Sequence, residues 1–160
     1  MKRVERRSIM MATAAWLLTF LFVAGVQNAR AQDGYARSST GVREVTLGSG
    51  TVIKMLLDAS NLGSDEIEVG EITFPTVTSP TAGHRHGATE IFYVIEGVLG
   101  HVVNGQEHRL EPGMVGVVKP TDEVMHRVLE APVRAVVIWI PGGEGDRVQP
   151  ADQWRQLGGS

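Results

Sequence analysis

Short segments rich in valine and isoleucine alternate with turns of glycine, proline, asparagine and aspartate along most of this 160-residue chain. They recur at intervals of roughly ten residues, and none of the regions between them has the period of an amphipathic helix. The pattern predicts an all-β sandwich or barrel built of short strands. We expect strands at residues 51–57, 66–74, 90–96, 98–103, 106–110, 114–119, 123–129 and 133–140.

The dipeptide Asn104-Gly105 predicts a tight hairpin between two of these strands. It is the strongest two-residue hairpin signal, because a type I′ turn needs a positive φ at both central residues. The register that follows from it places His101 directly opposite His108. Two histidines are therefore expected to share one face of the sheet.

A second and weaker turn signal, Glu96-Gly97, would pair Phe92 with His101. Because side chains alternate between the two faces of a strand, the two registers together sort the residues into faces. We expect the face that is more apolar around its histidines to line the interior, and it carries Glu90, Phe92, Val94, Leu99, His101, Val103, His108 and Leu110. A bulge at Gly97 or Gly100 would shift the register by one residue and reverse this assignment.

The segment GHRHGATE, at residues 83–90, has the spacing of a metal site. His84, His86 and Glu90 are all even-numbered, so in an extended chain they project to the same side. Imidazole nitrogen and carboxylate oxygen are ligands of mid-row divalent metals, and such a set leaves coordination positions free for water or substrate. His126 is the candidate fourth ligand, in a strand where valines share its face. A polar surface loop is the alternative, since a His-x-His pair also occurs in such loops.

Residues 1–31 have the features of a secretory signal peptide. Basic residues precede an apolar run at about residues 10–26, and Ala-Arg-Ala at residues 29–31 is a small-x-small cleavage pattern. The run has roughly fifteen residues, fewer than the roughly twenty of a membrane-spanning helix, and an uncleaved anchor is the alternative. Arg6-Arg7 partly matches a twin-arginine signal, so this route and general secretion both stay open. We therefore expect a periplasmic or secreted protein without membrane attachment after cleavage.

Cleavage after Ala31 would leave 129 of the 160 residues, enough for one domain with its own core. The removed segment holds five of the fifteen basic and one of the eighteen acidic residues, so the mature chain would carry a net charge of −7. Such a chain is a poor ligand for nucleic acid or anionic lipid, which carry the same sign. It has no cysteine and would not rely on disulfides. We expect a flexible lead-in at 32–45, a β domain at 46–140 and a turn-rich tail at 141–160.

These motifs resemble those of the cupin family. The first cupin motif is a His-x-His pair, three or four residues, a glutamate, six residues and a glycine. The residues that match it here are His84, His86, Glu90 and Gly97. The second motif ends in a histidine after a Pro-Gly turn, and Pro112-Gly113 followed by His126 resemble it more loosely. The resemblance covers about residues 51–140.

Membership of this family would imply a small β-barrel of the double-stranded β-helix, or jelly-roll, type. It would also imply one divalent metal ion (Fe, Mn, Ni or Zn) on three histidines and one glutamate, which here are His84, His86, Glu90 and His126. Cupins of this size often form dimers. A homodimer would cover the apolar outer-face residues Ile91, Tyr93 and Ile95.

His101 is the candidate catalytic residue, because it lies on the face of Glu90 and imidazole titrates near neutrality. The alternative is that it only forms hydrogen bonds near the barrel mouth. The leading hypothesis is an exported metalloenzyme of the dioxygenase, lyase, decarboxylase or isomerase type. Its substrate would be a small organic molecule with a chelating pair of oxygens. The alternatives are a non-catalytic periplasmic module that binds a small molecule or sugar through the metal, and a dimeric interaction unit with a structural metal.

Overall fold

The computed structural model describes residues 41–77 and 79–157. The predicted signal peptide at 1–31 lies outside the described residues and stays a prediction, as does most of the lead-in at 32–45. None of the helices in the described ranges is long and apolar enough to cross a membrane.

The described residues form a mostly antiparallel β structure with short helical segments. The strands are β1 (Arg43–Thr46), β2 (Val52–Leu57), β3 (Glu68–Phe74), β4 (Thr89–Val103), β5 (Gln106–Leu110), β6 (Val115–Val118), β7 (Val124–Ile140) and β8 (Arg155–Gln156). The helices are α1 (Ala59–Leu62) and α2 (Glu144–Val148), with a 3₁₀ turn at Ala151–Gln153. The all-β class predicted from the hydrophobic pattern is confirmed.

The two longest strands, β4 and β7, pair antiparallel along their whole lengths. The sheet order is β5-β4-β7-β3-β2-β1-β8, and β6 also pairs with β4. β6 pairs with the first half of β4 and β5 with its second half. Each half of β4 is thus flanked by β7 on one side and a short strand on the other, which gives the bent, jelly-roll-like sheet expected for a small barrel.

The predicted turn at Glu96-Gly97 is wrong, because β4 runs straight through it. Gly97 has a φ of +74°, and the register against β7 shifts on both sides of it, between Val94 and Glu96 and between Glu96 and Val98. A bulge of this kind moves side chains to the opposite face, as a two-residue hairpin would. The predicted interior face is therefore largely correct: Glu90, Phe92, Val94, Leu99, His101 and Leu110 are all buried, while Val103 is half-buried and His108 is exposed.

The predicted turn at Asn104-Gly105 is confirmed. Asn104 and Gly105 have φ values of 50° and 82°, and His101 lies opposite His108 as expected. The two flanking strands hold this turn in the left-handed region that asparagine and glycine tolerate best. Asn104 also accepts a hydrogen bond from the backbone of Glu123, which ties the turn to the start of β7.

The ends of the domain contribute more to the sheet than predicted. β1 begins at Arg43, inside the segment expected to be a flexible lead-in, and it pairs with β8 from the tail. Trp154 of the tail is buried in the core, and the Arg43 guanidinium lies 4.7 Å from its ring centroid. These contacts join distant parts of the chain, so no local sequence pattern predicts them.

Replacement of Gly97 by alanine should lower the free energy of unfolding by about 3 kcal/mol or more. The new Cβ would clash with the carbonyl oxygen of Pro132 and lie 2.6 Å from that of Glu130, in addition to the cost of a positive φ. Gly105→Ala is the matched control: its φ is +82° but nothing lies within 4 Å of the added Cβ, so only the conformational cost of about 1–2 kcal/mol remains. Urea unfolding of both variants makes the comparison, and equal losses would contradict it.

Candidate metal centre

The four predicted ligands come from three places in the chain, and backbone bonds bring those places together. His84 and His86 lie in the loop before β4, Glu90 is near the start of β4, and His126 is near the start of β7. The loop is held against β7, since His84 exchanges two backbone hydrogen bonds with Val124, of 3.1 and 2.8 Å. The backbone N–H of His126 also donates to the hydroxyl of Thr81 at 2.9 Å. Loop and strand therefore present their histidines to the same space.

Glu90 lies at the centre of these groups and is only 1% exposed. Its Oε2 accepts a hydrogen bond of 3.0 Å from the indole N–H of Trp139, the residue opposite it in the register of β4 and β7. The same oxygen lies 3.1 Å from Nε2 of His86, and Oε1 lies 3.8 Å from Nε2 of His126. The ring of His84 is 4.9 Å from that of His86 and 5.6 Å from that of His126, measured between centroids.

Several polar atoms of this cluster are buried without a hydrogen bond. Within residues 41–77 and 79–157, the buried atoms that lack a hydrogen bond include Nε2 of His86, His101 and His126 and Oε1 of Glu90. Nε2 of His86 is close to Oε2 of Glu90, at 3.1 Å, but the two atoms do not have the geometry of a hydrogen bond. Buried polar atoms in proteins are nearly always paired, so a group of four needs an explanation. Imidazole nitrogens and a carboxylate oxygen are the donor set of a mid-row divalent metal. The residues present therefore fit such an ion.

The electrostatics of the cluster favour the protonation states in which Glu90 and His84 can bind a metal. Burial raises the pKa of Glu90, but the imidazoles of His126 and His86 outweigh it and hold that pKa well below its usual range. Burial lowers the pKa of His84. Burial also acts to lower the pKa of His86, but the carboxylates of Glu90 and Glu144 outweigh this effect, and the pKa of His86 is raised. Glu90 is thus anionic and His84 neutral, whereas His86 must lose its proton to bind a metal.

His84, His86, Glu90 and His126 all line one cavity of about 360 Å³. Most of its remaining wall is apolar, and the side chains that form it include Leu47, Ile53, Ile72, Phe74, Phe92 and Val148. The hydroxyls of Ser49, Thr51 and Thr81 also border it. A cavity of this size suits a small organic molecule.

His101 lies behind His126 and outside the lining of that cavity. The two rings stack at 5.4 Å with an interplanar angle of 14°, and Phe92 lies 5.8 Å from His101. Glu90, His101 and His126 each offer a ligand atom within 4.8 Å of the other two, which makes them a candidate Glu/His/His metal site. His101 also borders a second cavity of about 270 Å³, beside Gly116 and His108. Among the described residues this is the group whose ligand atoms all lie that close together. It shares Glu90 and His126 with the predicted set, and the roles of His84, His86 and His101 stay predictions.

Sequence reasoning missed two residues of the site. Trp139 is buried in the core, and its indole N–H donates a hydrogen bond to Glu90. Glu144 was placed in the turn-rich tail, yet its carboxylate lies 3.2 Å from Nδ1 of His86. Fifty-eight residues separate Glu144 from His86, and nothing in the surrounding sequence PGGEGDRV marks this glutamate as part of the site.

Comparison with known proteins agrees with this architecture. The family model described as "Cupin domain" matches residues 66–141, which include all five residues of the two ligand sets. No curated protein matches the sequence. The match covers 76 of the 160 residues, and it agrees with the family that the motifs at residues 83–97 and 112–126 resemble.

Solved structures with the same fold have low sequence identity to this chain. They include KdgF from Halomonas sp., with 17% identity over 64% of this chain and 88% of that one, and a TM-score of 0.56. An RmlC-like cupin from Shewanella frigidimarina has 19% identity over 69% and 98% of the two chains, with a TM-score of 0.56. Ectoine synthase from P. lautus has 18% identity over 72% and 82%, with a TM-score of 0.57. At these identities the likeness shows the fold alone.

In the metal-free protein, stability should fall more steeply between about pH 6.5 and pH 4 for the wild type than for His101→Gln. Burial, with a smaller contribution from the charge of His126, lowers the pKa of His101 from 6.5 to about 4. Between those values the unfolded chain binds a proton that the folded chain does not, so acid favours unfolding, and below about pH 4 both states bind it. The full shift corresponds to about 3 kcal/mol. Urea unfolding across this range measures the difference, and parallel curves would exclude His101 as its source.

Proposed function

We propose that the mature protein is an exported metalloenzyme with one divalent metal ion, acting on a small organic substrate that presents a chelating pair of oxygens. One observation carries this proposal. Buried ligand atoms of His86, Glu90 and His126 have no hydrogen-bond partner among the described residues, and they belong to side chains that line an apolar cavity of about 360 Å³. A site with this donor set can hold a metal and still admit a small ligand.

His84, His86, Glu90 and His126 would hold the ion, with His101 close enough to Glu90 and His126 to compete for a position. An ion of Fe, Mn, Ni or Zn supplies Lewis acidity, and the redox-active ones can also assist oxygen chemistry. Glu90 contributes a negative charge, which Trp139 orients by its hydrogen bond. A histidine and carboxylate set leaves part of the net positive charge of the ion uncompensated, which favours an anionic or enolisable substrate.

The rest of the cavity would select the substrate by shape and a few polar contacts. Phe74, Phe92 and Val148 border the space and exclude water, which strengthens the electrostatic interactions within it. The hydroxyls of Ser49 and Thr51 lie 2.9 Å apart and offer donors and acceptors at one side of the cavity. They would orient a polar substituent of the substrate relative to the ligand cluster.

A metal-dependent binding protein without turnover is the second candidate, and one observation favours it. Among the described residues that line the cavity, the titratable side chains are the four proposed ligands themselves. If all four bind the ion, this lining keeps no free acid or base. Proton transfer would then depend on His101, which lies behind His126, or on the substrate. The enzyme proposal therefore requires that His101 reach the reacting group or that the chemistry need no protein base.

Intact mass spectrometry of protein purified from the periplasm or medium should give the mass of a chain that begins at Gln32. Elemental analysis of the same protein should find about one metal ion per chain. Substitutions His86→Ala, Glu90→Gln and His126→Ala should each reduce this content severalfold, because each removes a ligand of a site with few of them. His108→Ala is the matched control, an exposed histidine outside the cluster, and should keep the ion. A wild-type protein without metal would contradict the proposal.

The same preparations separate the two candidate functions. Wild-type protein is given diketones, catechol-like phenols, hydroxy acids and enediols, and both substrate loss and oxygen uptake are followed. Turnover that disappears in Glu90→Gln supports the enzyme. Saturable binding without turnover, lost in the same variant, supports the binding protein instead.

We also propose that the protein is a homodimer that covers the outer face of β4, β6 and β7. Tyr93 lies opposite both Val115 and Val136 in the register, and Ile91 lies opposite Val117, so the apolar side chains form adjacent rows. Tyr93 is 45% exposed, and Val115 and Val117 are each 53% exposed. A contiguous apolar face of this kind on a sheet is typical of a protein interface. We favour a second copy of this chain as the occupant. The exposed apolar residues lie on β4 and on both of its neighbours, β6 and β7, so this face can pack against the same face of a second copy about a two-fold axis.

Light scattering should give the mass of a dimer for the wild type and of a monomer for Val117→Lys, because the new charge would be buried in the interface. Val77→Lys is the matched control, since Val77 is 65% exposed but lies in the loop after β3. It should leave the dimer intact. A monomeric wild type would contradict this part of the proposal.

A further inference from the structure

Glu144 is a buried carboxylate for which the proposed function so far has no use. It is 3% exposed and stands at the start of α2, beyond the end of β7. Its Oε1 accepts the backbone N–H of Gly87 at 2.7 Å, and its Oε2 lies 3.2 Å from Nδ1 of His86. A buried charge is costly unless it is paired and hydrogen-bonded. Both oxygens of Glu144 find those partners in the loop that carries the predicted ligands.

Contacts of Glu144 with other groups do not account for its position. The guanidinium of Arg147 lies 3.5 Å from Oε1, but its side chain is 66% exposed, and ion pairs with exposed partners contribute little. At the same end of the helix, the backbone N–H of Gly145 donates a hydrogen bond of 2.9 Å to a different carboxylate, that of Glu68. The carboxylate of Glu144 is thus directed at the loop, and its helix is docked by other means.

The contact with His86 decides which nitrogen of that ring can bind a metal. A carboxylate only accepts, so Nδ1 of His86 must carry the proton that it donates to Glu144. Nε2 faces a second carboxylate, with Oε2 of Glu90 at 3.1 Å, and this group competes for the proton of a neutral, metal-free ring. With an ion bound at Glu90, the contact with Glu144 keeps the proton on Nδ1 and leaves the lone pair on Nε2. Metal-binding histidines commonly have their second nitrogen held by such a carboxylate, which fixes the tautomer and the ring orientation.

We propose that Glu144 is a positioning residue of the metal centre, which fixes His86 as an Nε2 ligand and links the docking of α2 to that ligand. The inference rests on the proposed function, because it takes His86 as a ligand. The same helix contributes Val148 to the cavity wall. The C-terminal segment therefore supports the centre from one side and closes part of the cavity from the other.

Binding of Zn²⁺ alone, measured by competition with a chromophoric chelator, tests whether Glu144 supports His86 as a ligand. Glu144→Gln should weaken binding by about 10- to 100-fold, since its amide can accept from only one of the two donors and turns an N–H₂ toward the other. Glu68→Gln is the matched control: Glu68 is equally buried and touches α2 through Gly145, but no contact joins it to His86. It should bind Zn²⁺ within about 3-fold of the wild type. Wild-type affinity in Glu144→Gln, or an equal loss in Glu68→Gln, would overturn the proposal.

Nitrogen-15 spectra of the histidine rings test the tautomer of His86 without any metal, at a pH where His86 is neutral and in a Glu90→Gln background, which removes the competing carboxylate. The chain has five histidines, and the signals of His86 are those missing from His86→Gln. In that background, alone or combined with Glu68→Gln, Nδ1 of His86 should carry the proton, and when Glu144→Gln is added this preference should be reduced or reversed. An unchanged tautomer in Glu144→Gln would overturn the proposal. If the wild type binds no Zn²⁺, the proposed function fails, and this spectrum alone decides whether Glu144 orients His86.

Discussion

The buried carboxylate of Glu90 is the constraint on which the rest of the structure depends. An ionised carboxylate with 1% exposure costs several kcal/mol unless other groups replace the water it has lost. Here those groups are the indole of Trp139 and the imidazoles of His86 and His126. Trp139 can reach Glu90 only if β4 and β7 pair in the register they have. The charge of one residue and the register of the two longest strands are therefore mutually dependent.

From Glu90 a series of buried polar contacts extends to the surface of the domain. Glu90 lies against His86, His86 against Glu144, and Glu144 begins the helix that also packs on Glu68. Glu68 in turn lies 3.7 Å from the guanidinium of Arg43 in β1. Such networks are stabilising only when each member is satisfied. The unpaired atoms are concentrated where a metal ion would lie, which is the physical basis of the proposed function.

The faces of the strands could be predicted because local chemistry determines them. Alternation of apolar residues, together with the registers drawn from Asn104-Gly105 and Glu96-Gly97, sorted Glu90 and His101 to the interior, and both are buried. The predicted hairpin at Glu96-Gly97 was wrong for a physical reason: a glycine with positive φ is found in β-bulges as well as in hairpin turns. Only the partner strand decides between them, and β7 pairs with β4 on both sides of Gly97.

The sequence by itself determined the class of fold, the alternation of side chains along each strand and the spacing of His84, His86 and Glu90. These depend on neighbours within a few residues, where backbone geometry leaves few choices. Only the tertiary structure decided that His101 stacks behind His126 and that Glu144 reaches His86 from the far end of the chain. Contacts across such separations follow from how sheet and helix pack together. No short stretch of sequence encodes that packing.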